Sequence, residues 1–321
     1  MFAGGRRLLL LLGLLALIGS GTTAAGGPAA VRLPRDQFAH PAAGVEWWYV
    51  TGLVRGSDGR RYTVFFTLFR RAGLVLPVSQ VVELDRDLVL GHSERLAGAT
   101  LGTTSLDVQA GGAELAYRPA TNTWRFGATG PSYALSFTAR PEKPYVLHGG
   151  GSGVIRQSLG GRSAYYSATR MAARGTIVAG RRHISFSGVA WLDHQWGSFQ
   201  ADSRAFNWDW FSCRFADRTE LMLYRFRDRR TGRPLAAYRN GTFVRRDGSS
   251  TQVTAFTATS DGRHWPLAWT LHVPELGLDL RLRSLARNQL FHGVLVPTFW
   301  EGASAVTGTK RGDCFVEVSY R

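Results

Sequence analysis

The stretch WLDHQWGSF, Trp191 to Phe199, sets an acid, an imidazole and an amide between two tryptophans, directly after the strand-like run HISFSGVA. Titratable side chains among large aromatic rings are hydrogen-bonded there or handle a ligand. If the strand continues through the stretch, facing alternates, so Trp191, Asp193 and Gln195 share one face and Leu192, His194 and Trp196 the other. A direct Asp193–His194 pair is therefore disfavoured unless the chain bends, and Gly197 is the residue that permits a bend. A carboxyl among indole rings loses its hydration, so its pKa rises and it can stay protonated near neutral pH. Asp193 then serves as a proton donor where water is scarce. The alternative is that Asp193 and His194 form a buried polar knot at a domain junction.

Two other segments repeat the combination of carboxylate and aromatic rings. In EWWY, Glu46 precedes Trp47, Trp48 and Tyr49; in FWEGAS, Trp300 precedes Glu301. Such clusters either plug a barrel end or, with Glu46 and Trp48 on one face, line an apolar site. Three separate segments exceed what one core needs, which favours a site. Asp193 and Glu46 are the candidate acid–base groups. Trp48, Tyr49, His194, Gln195, Trp196, Trp300 and Glu301 are candidate ligand contacts. The YYSATR segment adds Tyr165, Tyr166 and Arg170, of which Tyr166 and Arg170 are suited to a ligand's polar end. His148, beside the glycine-rich LHGGGSG, is a further candidate.

Other chemistries find no support. The glycine-rich loop has no following Lys-Ser/Thr and no strand-to-helix context, so it is no phosphate cradle. There is no GxSxG elbow and no CxxC. His40, His92, His183, His264, His272 and His292 are dispersed, without the spacings HxH, HxxxH or HExxH, so no metal is expected. No cofactor is expected either. The formal net charge of +16 comes almost wholly from arginine, with Lys143 and Lys310 the lysines. The arginines are scattered in runs no longer than two, which argues against a nucleic-acid partner.

The elements that must position these residues read as strands. RRYTVFFTLFRR at 60–71, RRHISFSGVAW at 181–191, TELMLYRFRD at 219–228 and LGLDLRLRSL at 276–285 are strand-like, the last in strict alternation. Asp58-Gly59, Asp247-Gly248 and Asp261-Gly262 sit between such runs and mark hairpins. Almost nothing reads as helix, so the class is all-β, barrel or sandwich. The chain also echoes itself: EWWYVTGLV leading to YTVFFTLFRR resembles NWDWFSCRF leading to ELMLYRFRD, and 164–191 resembles 298–320. Two related β units follow, at 26–196 and 197–321.

Residues 1–25 have the basic start, apolar run (Leu8 to Ile18) and small residues of a secretory signal peptide. The apolar run is shorter than the roughly 20 residues a membrane span needs. Export to a periplasmic or extracellular location is expected, and Arg6-Arg7 leaves the twin-arginine route open. In such a compartment Cys213 and Cys314 either pair or remain two buried thiols.

In combination, EWWYVTG, WLDHQWGSF and FWEGASAVTG…FVEVS resemble the AttH-like family, which includes bacterial carotenoid 1,2-hydratase (hydroxyneurosporene synthase). The resemblance covers nearly the whole chain after the signal. It implies two consecutive lipocalin-like antiparallel barrels with an apolar small-molecule ligand, isoprenoid or acyl, in or between them. It further implies Asp193 as proton donor to an isoprenoid double bond, without cofactor, and Glu46, Trp48, Trp196 and Trp300 as lining; aromatic faces suit a carbocation. Gln195 stands where the family pattern suggests glutamate, which removes one carboxylate from a two-carboxylate scheme. With export, that favours a binding module, in the company of a membrane transporter complex, over a hydratase or isomerase.

Overall fold

A computed structural model describes residues 29–157, 161–198 and 206–319. The expected signal peptide and Phe199 lie outside the described residues. Among the described residues only strands and short 3-10 turns occur, and no helix is long and apolar enough to cross a membrane. The strands form two antiparallel sheets, of 13 and 10 strands. These are the expected pair of lipocalin-like barrels.

The two sheets are built alike. In the first, the strand Val45–Gly56 pairs with Arg61–Arg71 on one side and with the last strand, Arg182–Ser198, on the other. In the second, Phe206–Phe215 pairs with Glu220–Asp228 and with the last strand, Gly312–Ser319. The sequence echoes thus fall at equivalent places in both sheets. The Asp-Gly turns also form as expected: Gly59, Gly248 and Gly262 adopt φ of 81°, 91° and 77°, a left-handed conformation that glycine enters without a Cβ clash.

Each sheet covers an apolar interior of its own. Trp48, Tyr62, Phe66, Trp124, Phe126 and Leu192 fill the first. Phe211, Trp269, Leu271, Leu280 and Trp300 fill the second, with a disulfide between Cys213 and Cys314, direct partners on adjacent strands. A third cluster draws on both units: Tyr49, Phe65, Tyr165 and Trp191 from the first meet Trp210, Phe291, Phe299 and Phe315 from the second. The strand Val45–Gly56 is consequently buried on both faces, whereas Leu278–Ser284 alternates strictly between buried leucines and exposed residues. Ion pairs tie the seam at its edge, where Glu220 receives Lys143 at 2.6 Å and Arg170 at 2.7 Å.

Candidate active site

Register decides which side chains reach the seam, because directly opposed residues in an antiparallel pair share a face. Tyr49 opposes Asp193, and Asp193 opposes Ser167 on the strand Arg162–Ala179. Tyr165, Ser167, Asp193 and Tyr49 therefore stand on the face that meets the second barrel. From that barrel, Trp210 opposes Glu317, and Glu317 opposes Glu301. Three carboxyl groups, Asp193, Glu301 and Glu317, thus converge on one aromatic seam.

Asp193 is held by three neighbours. Trp191 Nε1 donates to Oδ1 at 2.6 Å, Tyr165 hydroxyl donates to Oδ2 at 2.7 Å, and the Ser167 hydroxyl also donates to Oδ1. Trp210 Nε1 in turn donates to the Tyr165 hydroxyl at 3.2 Å. Burial raises the Asp193 carboxyl to about 6 against the pull of these donors. His148 completes a relay. Its Nε2 lies 2.7 Å from Ser167 Oγ and its Nδ1 2.8 Å from Thr242 Oγ1 of the second barrel. Burial lowers the imidazole to about 3, so it is neutral. With Asp193 ionised, Ser167 donates to the carboxylate and accepts from His148. With Asp193 protonated, the whole chain can reverse, the serine donating to Nε2. The acid's charge is thereby coupled to a histidine tautomer across the seam.

On the opposite side, the Tyr49 hydroxyl donates to Glu301 Oε2 at 2.8 Å and Trp208 Nε1 donates to Glu317 Oε1 at 2.6 Å. Glu301 Oε1 is buried without a hydrogen-bond partner. Burial, then the charge of Glu317, pushes the Glu301 carboxyl well up. Burial raises Glu317 to about 7. Neither acid forms an ion pair with a described cation. Two opposed carboxyls in this setting do not both ionise. The cluster can therefore hold and release protons near neutral pH, with aromatic walls that suit an apolar or cationic reacting centre.

Other expected site residues lie elsewhere. Glu46 does not join Asp193: it sits on the opposite face with Trp48, His194 and Trp196, inside the first barrel. Glu46 accepts from Arg70 Nε at 2.7 Å, and its Oε1 lies 2.8 Å from His40 Nδ1 and 2.9 Å from His194 Nε2. Although burial pushes its carboxyl up, the hydrogen bonds from His194 and His40 outweigh it and hold it well below the usual range. His194, lowered by burial to about 4, stacks on Trp48 at 4.4 Å, and Trp196 stacks on His40 at 3.8 Å. The half-expected knot thus exists for His194, but without Asp193. Tyr166 belongs to this knot through His194 Nδ1 and Gln37, not to the seam. Arg170 is consumed by the Glu220 clamp rather than offered to a ligand. Trp300 fills the interior of the second barrel, one residue out of phase with Glu301. Gln195 is on the seam face but donates to Ser163.

His40 is not dispersed after all: it meets Glu46 and His194 with ligand atoms within 4.8 Å of one another, the kind of cluster a metal could use. The contacts are hydrogen-bond lengths and Arg70 occupies the other Glu46 oxygen, which opposes a cation there. Ser167, Trp208 and Glu317 were not singled out as site residues from the sequence. Glu317 is a lone acid in CFVEVSY and resembles any outward strand residue until register places it against Glu301.

The model of the AttH-like family matches residues 24–320. The fold is similar to that of an AttH protein from Nitrosomonas europaea, at 23% identity and TM-score 0.78, covering 90% of this chain and 97% of that one. It is also similar to kievitone hydratase from Nectria haematococca, at 17% identity and TM-score 0.75, covering 94% and 95%. A search of curated proteins finds no match.

Proposed function

The chain belongs to the AttH-like family, and on that premise we propose that it is a cofactor-independent hydratase whose reaction takes place at the seam between the barrels. The observation that carries this reading is the convergence of Asp193, Glu301 and Glu317, all desolvated and without cationic partners, on a wall of aromatic rings. Asp193 gives its proton to an electron-rich double bond of an apolar, isoprenoid or prenylated substrate. The cationic carbon that results faces Trp191, Trp210 and Tyr49. The Glu301–Glu317 pair takes a proton from the water that adds there. That pair supplies from the second barrel the carboxylate that Gln195 lacks. A hydratase is among the structural relatives, and at 17% identity that likeness carries the fold only.

A binding module without turnover, exported and serving a membrane transporter, would use the same seam. Its support is closure: Asp193 and Glu301 are 4% and 3% exposed, so a ligand reaches them only by parting the rings above. Incubation with acyclic isoprenoids and prenylated phenols in oxygen-labelled water, followed by mass spectrometry, separates the two. A product carrying one labelled water supports the hydratase. Stoichiometric binding of unchanged compounds moves the weight to the binder, and absence of both removes the ligand reading altogether.

A further inference from the structure

The acids of the seam are closed over, so an apolar ligand has to displace part of the wall to reach them. The two ends of the seam are secured differently. In the first sheet the strands Leu88–Glu94 and Arg162–Ala179 lie on opposite sides of Val45–Gly56. At the Arg162–Ala179 end, Lys143 and Arg170 both pair with the fully buried Glu220, and a pair so removed from water is costly to break. At the Leu88–Glu94 end the closure is a loop of the second barrel, 292–298. It joins the short strand Leu290–Phe291 to Phe299–Gly308, and these two strands pair with each other. Gly293 turns the loop back so tightly that a Cβ there would lie 2.0 Å from the Val296 carbonyl oxygen.

One side chain fastens this loop to the first barrel. The half-buried Glu94 carboxylate accepts from three successive backbone N–H groups, from Val294 at Oε1 and, at Oε2, from Leu295 at 2.8 Å and Val296 at 3.0 Å. Such bonds to a charged acceptor are strong when dry, but here water competes for the carboxylate. The base of the loop is fixed more firmly. Asn288 N–H donates to Asp87 Oδ1 at 2.6 Å, and the buried Gln289 accepts from Ala303 N–H at 2.8 Å and donates to Ser284 Oγ at 2.9 Å. Val294 is 78% exposed, while Val296 packs on the aromatic cluster of the seam. Beneath the loop the rings run inward without a break. Phe291 stacks on Phe299 at 5.1 Å, Phe299 meets Phe65 at 5.8 Å, and Phe65 meets Tyr49 at 5.5 Å. Tyr49 in turn donates to Glu301 and lies 5.3 Å from Trp210.

We propose that loop 292–298 is the gate of the seam: released from Glu94, it lifts on its base at Gln289, draws Val296 off the rings and admits an apolar chain along them to Glu301 and Asp193. The proposal rests on the reading of the seam as a ligand site, and it holds for hydratase and binder alike. Glu94 touches no ligand in this scheme. It sets the balance between the closed and open forms, so its loss changes how often the gate opens rather than how well the seam holds what has entered.

The test is stopped-flow fluorescence of the purified protein with diphenylhexatriene, an uncharged polyene, read by energy transfer from the protein's tryptophans. The parent is expected to bind it with one-site saturation. Glu94→Ala is expected to raise the association and dissociation rates together, each about tenfold, with affinity within about threefold. Glu142→Ala removes an exposed ion pair with Arg218 near the Lys143 clamp and is expected to leave both rates unchanged. Arg95→Cys with Val294→Cys, joined by a short bismaleimide, keeps Glu94 and ties the loop down. The tethered protein is expected to take up the probe about tenfold more slowly or not at all, and it decides the matter should Glu94→Ala fail to fold. No saturable binding by the parent removes the seam as a ligand site and the gate with it. Saturable binding with rates that neither Glu94→Ala nor the tether alters overturns the gate alone. So does an equal acceleration in Glu142→Ala, which would mark general loosening of the seam, or a loss of affinity in Glu94→Ala at an unchanged association rate.

Discussion

Glu301 and Glu317 stand directly opposite each other on adjacent strands of the second barrel, Glu301 taking a hydrogen bond from the first barrel's Tyr49. Like charges opposed across a sheet repel, and here no described cation offsets them. The pair is stable only while it holds a proton, and it faces a third desolvated acid, Asp193, across the seam. That relationship ties the packing of the two barrels to the chemistry between them.

A pH–rate profile should be bell-shaped. The acid Asp193 must be protonated, and at about 6 it loses that form as pH rises. The glutamate pair must be ionised, and at about 7 for Glu317 it loses that form as pH falls. The competent state is therefore a minority species, and the maximum is expected between about 6 and 7. Glu317→Gln is expected to lower the maximal rate on the order of a hundredfold and to remove the acidic limb. An unchanged acidic limb would take the pair out of the proton path.

Stability should respond to pH through the same groups. The folded values of Asp193 and Glu317, about 6 and 7, lie above their unfolded ones, so the folded state binds more protons. Their contribution is full below about 4 and is lost as pH rises through 6 and 7. His148 and His194, lowered to about 3 and about 4, act in the other direction, their contribution being lost as pH falls through those values. Glu317→Gln stays neutral and is expected to be more stable than the parent at pH 8, on the order of 3 kcal/mol, with little difference at pH 4. Denaturant unfolding at the two pH values checks this; an equal difference at both contradicts it.

Glu46 should matter for folding and not for the reaction. Glu46→Gln leaves the buried Arg70 without its carboxylate, at an expected cost of about 3–5 kcal/mol. Ligand affinity at the seam, corrected for the folded fraction, should stay within about twofold, because Glu46 lies on the far face of the sheet. A folded variant with abolished turnover would return Glu46 to the site.

How far the site was legible follows from strand phase. Alternation alone separated Asp193 from His194, and the structure places them in two different networks. The same rule cannot say which face of a strand meets another domain. It therefore could not choose between Tyr165 and Tyr166, and the aromatic-plus-acid pattern grouped Glu46 with Asp193 although their phases differ. His40 joined Glu46 through a loop, and no spacing rule reports such contacts. The hairpins at Asp58-Gly59, Asp247-Gly248 and Asp261-Gly262 were readable because their cause is local. The pairing of Cys213 with Cys314 was not, because it depends on which strands end up adjacent, 101 residues apart.

The most direct measurement sets Asp193→Asn beside the parent on a compound that the parent hydrates, recording turnover and equilibrium affinity for each. Asparagine keeps the shape and can still accept from Trp191 through Oδ1, its Nδ2 donating to the Tyr165 hydroxyl where the carboxylate accepted, but it has no acidic proton to give. The expected result is affinity within about threefold and turnover reduced on the order of a thousandfold or more. Full turnover in Asp193→Asn would contradict the assignment of Asp193 as the acid.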